Sequence, residues 1–99
     1  MPQENSPRRF RPAKFRSLVN YIIGKHETCP HPCEYRRIAT LLYMIEMEHY
    51  RRFGKGIANP TFIKAEWGVD CRQLMAALEE LERRGAIMLR PVRPYFSMA

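Results

Sequence analysis

The sequence predicts a mainly α-helical fold, a compact domain of four helices closed by a short C-terminal β-hairpin. Within residues 13–25 and 34–53 apolar side chains recur at three- and four-residue intervals, the period that gathers them on one side of a helix. Helix start and stop residues bracket two further stretches. After Gly85 the apolar period falls to two, the spacing of a strand.

Taken in order, Phe15, Leu18, Val19, Ile22 and Ile23 form the inward stripe of the first helix, which Gly24 and Thr28-Cys-Pro-His-Pro end. The second helix is predicted from near Glu34 to about Phe53, with Ile38, Leu41, Leu42 and Ile45 inward and Gly54 supplying the left-handed C-terminal position. Tyr35, Tyr43, Met47 and Tyr50 widen its apolar surface beyond one stripe, which implies a further neighbour or a partner. Asn59 followed by Pro60 has the form of an N-cap with proline in the first turn, predicting a short helix from Pro60 to about Trp67, with Trp67 anchored in the core. Asp70 and Gln73 have capping-box spacing, predicting a fourth helix that buries Cys71, Leu74, Leu78 and Leu81 and ends at Arg83-Arg84-Gly85. Ile87 to Arg90 and Tyr95 to Met98, joined by Pro91-Val-Arg-Pro94, then read as a two-stranded ribbon. A short helix, a tight turn at Gly68-Val69, a longer helix and a hairpin behind it make the whole winged-helix-like.

A chain of 99 residues holds one domain. Its longest apolar runs, Leu41 to Ile45 among them, are far below the ~20 residues that span a bilayer. The start lacks the apolar segment of a secretory signal, so the expected location is the cytoplasm, with no membrane partner. Three cysteines are expected to stay thiols there. The formal charge is +7, and residues 1–16 hold five basic side chains against Glu4. Residues 1–12, broken up by Pro2, Pro7 and Pro12, therefore read as a flexible basic arm ahead of a single domain over 13–99.

The densest set of ligand-type side chains is His26, Cys29, His31 and Cys33, the residue types that zinc prefers. Their spacing matches no common finger, and Pro30 and Pro32 restrict wrapping around one ion, so the segment reads as an interhelical loop with no cofactor. Gly54-Lys-Gly56 lacks the spacing of a phosphate-binding loop. Ser17, Ser97, Asp70 and His49 fall on separate elements, and Glu46 or Glu48 beside His49 reads as surface rather than as an acid/base pair, so no enzyme is expected. For DNA, Arg72 and Gln73 would read bases from the start of the fourth helix. Arg8, Arg9, Arg11, Lys64, Arg90 and Arg93 would hold phosphates, with Glu79, Glu80 and Glu82 turned away.

Leu18-Val-Asn-Tyr-Ile-Ile-Gly-Lys25, Ile38 to Gly54 and Ala58 to Gly68 together resemble the Panacea domain, the antitoxin domain of SocA-like proteins. Leu41-Leu-Tyr43, His49-Tyr50, Gly54-Lys-Gly-Ile57, Phe62 and Gly68 stand in that family's motif places, and Leu78 to Ile87 looks like its closing helix. The family usually carries lysine where this chain has Thr40 and proline where it has Val69. These domains normally continue with further helices, so the resemblance implies a form truncated at the C-terminus. It implies a non-enzymatic protein from bacteria, phages or other mobile elements, acting by direct contact with one protein partner, a toxin or a host complex. Candidate contact residues are Tyr43, Met47, His49 and Tyr50. The alternative reading is a winged helix-turn-helix transcriptional regulator, and a third is a phage-type inhibitor of a host defence complex. A homodimer fits any of these. Protein purified without chelator is expected to carry no stoichiometric zinc by elemental analysis, and one equivalent per chain would reverse the reading of the 26–33 loop.

Overall fold

The computed structural model describes residues 9–29, 33–90 and 95–98, with only the backbone of Arg90 and Tyr95. Helix α1 (Pro12–Lys25) runs into a 3-10 turn (His26–Thr28) and is followed by helix α2 (Tyr35–Phe53). Pro12 sits in the first turn of α1, where the missing N–H costs nothing. Gly54 closes α2 at φ 73° and donates its N–H to Tyr50, the left-handed cap that a Cβ would strain.

Beyond α2 the structure departs from the four-helix expectation. Residues 60–67 are not a helix: strand β1 (Phe62–Ala65) turns through Glu66 and Trp67 into antiparallel strand β2 (Gly68–Cys71), pairing Phe62 with Cys71 and Ala65 with Gly68. Asn59 lies at φ 57°, a left-handed conformation that asparagine tolerates, whereas an N-cap needs extended backbone. The capping box does not form either. Gln73 Oε1 accepts the Thr61 N–H at 2.9 Å, and Asp70 Oδ1 accepts the Tyr35 hydroxyl at 2.8 Å and the Cys71 N–H at 2.7 Å. Helix α3 accordingly starts later, at Leu74, and runs to Arg83. Trp67 lies at the hairpin tip, half-buried, edge-on to Tyr35 and 5.3 Å from the Arg36 guanidinium. The described residues thus form three α-helices and two antiparallel strand pairs, the second being β3 (Ile87–Arg90) with β4 (Tyr95–Met98). The two pairs are separate sheets.

The core joins the inward stripes of the helices: Phe15, Val19, Ile22 and Ile23 of α1, Ile38, Ala39 and Leu42 of α2, and Leu74, Ala77, Leu78 and Leu81 of α3. Cys33, Ala58, Cys71 and Ile87 complete it. One ionisable side chain lies on the same stripe: Glu46, only 2% exposed. Its two oxygens accept the N–H groups of Ile57 at 3.0 Å and Ala58 at 2.8 Å. Ala58 in turn accepts the Arg11 N–H, and Asn59 Nδ2 donates to the Arg9 carbonyl. Residues 9–11, in the predicted arm, are thereby tied to the loop behind α2, and the Phe10 ring packs edge-on against Phe15.

A Cβ at Gly56 would fall inside van der Waals distance of both Glu46 Oε1 and Asn59 Oδ1, so any larger residue there has to push these two hydrogen-bonded side chains aside. Glu46→Gln aims an amide NH2 at a backbone donor and is expected to cost roughly 1–3 kcal/mol, read as a lower urea midpoint. Gly56→Ala is expected to destabilise in the same assay. Midpoints unchanged in both variants would show that the carboxylate does not hold the loop.

Candidate interaction surface

Helix α2 buries Ile38, Ala39, Leu42 and Glu46 along its middle and leaves a flank exposed on either side. Tyr43, Met47 and Tyr50, spaced four and three residues apart, share one flank and are 40%, 44% and 47% exposed. The Tyr43 ring stands edge-on to Phe62 of β1 at 5.2 Å, so the hairpin braces the near end of this row. Met47, Tyr50 and Phe62 line a depression of about 370 Å³ with Pro60 and Asn59 on its far wall. Apart from the buried Glu46, that lining is uncharged.

Of the four predicted partner residues, the structure brings these three together and separates His49. Its Nδ1 lies 2.7 Å from the Lys55 carbonyl and its ring is 4.7 Å from that of Phe53, on the opposite flank with Leu41, Met44 and Ile45. Two exposed apolar residues of that flank, Met44 and Phe53, were not among the predicted site residues. Met44 lies off the core line in the helical repeat, which was the available signal for it; Phe53 continues that line but stands at the end of α2. Phe62, read as helical, reaches Tyr43 only because the segment is a strand.

Of the residues expected to contact DNA, those described are spread over several elements. Arg8 and Arg93 lie outside the described residues, as does the side chain of Arg90. Lys64 is exposed on β1 and Arg72 in the turn between β2 and α3, while Gln73 is committed to Thr61. Arg9 and Arg11 engage the 58–59 loop through their backbone. A helix-turn-helix needs a helix immediately before the reading helix, and among the described residues β1 and β2 occupy that place. On α3, Glu80 pairs with Arg83 and Arg84. Hydrogen bonds from Arg84 and then Arg83 hold its carboxyl below the usual range.

Among the described residues no three His, Cys, Asp or Glu side chains gather as a metal site. His26 Nδ1 is 3.0 Å from the Ile22 carbonyl, Cys29 is half-buried, Cys33 is in the core, and His31 lies outside the described residues. Burial raises the Cys33 and Cys71 thiols to about 11. Across the described residues no helix is long and apolar enough to cross a membrane. Comparison with protein-family models, with curated proteins and with solved structures finds no match for the chain.

With a pKa near 11, a thiol is about one-thousandth thiolate at pH 8, and the thiolate is the reactive form. An aromatic disulfide reagent at pH 8 is therefore expected to modify Cys29 rapidly, and Cys33 and Cys71 only as pH rises towards 11 or after denaturation. Three equally fast equivalents at pH 8 would contradict the burial of the two core thiols.

Proposed function

We propose that the protein is a small binding module that acts by direct contact with one protein partner, in the manner its resemblance to SocA-like antitoxin domains implies. The observation that carries this reading is the row Tyr43, Met47 and Tyr50, exposed side by side on the longest helix. Aromatic and methionine side chains are enriched in the cores of protein interfaces, where charged residues are depleted. A ring already braced, as Tyr43 is by Phe62, loses little freedom when a partner covers it. The partner is a toxin or, for a phage-type inhibitor, a host defence complex. Either is handled in the same way, by occupying a surface.

The test is a tagged pull-down from host lysate with and without nuclease, comparing the wild-type chain with Tyr50→Ala. One protein at near-equal stoichiometry is expected to survive nuclease. Removing a ring from the centre of such an interface costs ~2 kcal/mol, roughly thirtyfold in Kd, so Tyr50→Ala is expected to weaken the complex by that much while leaving the circular dichroism spectrum unchanged. A complex indifferent to the substitution, or a discrete DNA site enriched in place of a protein, overturns the reading.

A further inference from the structure

The other flank of α2 carries a second surface, and its charge distinguishes it from the first. Leu41, Met44, Ile45 and Phe53 border a depression of about 410 Å³ that ends on Ile57. The same Ile57 borders a second depression, of about 400 Å³, with Leu18 and Lys14 of α1. Ile57 borders both, so the two depressions are neighbours, one lined from α1 and the other from α2, and together they form an apolar seam between the helices. Both depressions are open to the surface, and Met44 and Phe53 are 58% and 64% exposed.

Basic groups dominate the rim. Lys14 stands on the α1 side, and Arg52, with Arg51 beside it, on the α2 side. The one carboxylate lining the trough, Glu48, accepts hydrogen bonds from Arg51 at 3.2 and 2.6 Å and from Arg52 at 2.6 Å. Those bonds, Arg51 first, pull its carboxyl down to about 2. Three cations against one doubly engaged anion leave the rim positive. A second copy of this chain, itself +7, would bring like charge to it.

We propose that this seam takes one amphipathic helix of the protein partner, its apolar stripe laid against Leu18, Leu41, Ile45 and Ile57 and its flanking carboxylates set towards Lys14 and the Arg51–Arg52 pair. The assignment rests on the reading that the chain acts by occupying a protein. It is the helix-in-groove mode, in which residues at i, i+3, i+4 and i+7 supply the anchors and opposite charge along the rim sets orientation and partner choice.

The full-length, 15N-labelled protein is titrated with a synthetic helix of about 15 residues, or ~4 turns, with leucines on one stripe and glutamates on its flanks. A twin peptide replaces each glutamate by lysine. Amide shifts are expected at Leu18, Leu41, Met44, Ile45 and Ile57, with the acidic peptide binding at least about tenfold tighter than its twin and that advantage shrinking as salt rises. Met44→Glu, at an exposed position where folding does not depend on the side chain, is expected to weaken the acidic peptide by about the same factor. Equal affinity for the two peptides, no shifts at millimolar peptide, shifts centred on Tyr43, Met47 and Tyr50, or a stable dimer that Met44→Glu dissolves would each overturn the assignment. If the acidic peptide fails while the complex that depends on Tyr50 persists, the groove assignment alone falls. If Tyr50→Ala leaves the complex intact, the reading beneath it falls, whatever the peptide does.

Discussion

A buried carboxylate holds the molecule's arrangement. Glu46 lies on the inward stripe of α2, where a charge without partners would cost several kcal/mol. It is tolerated because two consecutive backbone N–H groups, of Ile57 and Ala58, fill its oxygens with hydrogen bonds strengthened by the charge. Ala58 then receives the Arg11 N–H, and Asn59 reaches the Arg9 carbonyl. Glu46 thus joins the middle of α2 to the loop behind it, and that loop's Ala58 carbonyl and Asn59 side chain join it to the start of α1. The arrangement also sets the direction in which the chain returns along α2. Phe62 arrives beside Tyr43 as a result, and Ile57 arrives at the seam between the helices.

Both surfaces of α2 depend on that latch, yet they differ chemically. On one side, Tyr43 stands against the Phe62 ring, and Met47 and Tyr50 line a depression with Phe62 and Pro60 that holds no exposed charge. Across the helix, aliphatic side chains lie between Lys14 and the Arg51–Arg52 pair. Because a single rigid helix supplies both rows, their spacing is set before any partner arrives, and less freedom is lost on binding. An uncharged aromatic row suits the centre of an interface. A trough rimmed with cations instead selects among partners by charge.

Much of the helical part of this arrangement was legible in the residues. The apolar stripes of α1 and α2 placed both helices within a residue or two of their observed ends, and Tyr43, Met47 and Tyr50 could be read as surplus to one buried stripe. The β1–β2 hairpin was not legible. Asn59-Pro60 and Asp70 with Gln73 are composed as helix caps are, but asparagine, aspartate and glutamine serve turns with the same hydrogen bonds. Here Gln73 binds Thr61 across 12 positions and Asp70 binds Tyr35 across 35. Neither partner lies within the local window from which a cap is recognised.

Local periodicity and turn chemistry settled where α1 and α2 run and which residues they bury, because side chains three and four apart share a face whatever surrounds the helix. Tertiary structure settled the rest. It made residues 62–71 two strands, since Phe62 and Trp67 gain aromatic partners on α2 there. It turned a glutamate that reads as surface into the central tie of the fold, whereas the separation of His49 from Tyr50 follows from the helix itself, whose successive residues do not share a face. The partners of Glu46 are backbone amides, which every residue but proline carries, so only the path of the chain could reveal which two it would hold.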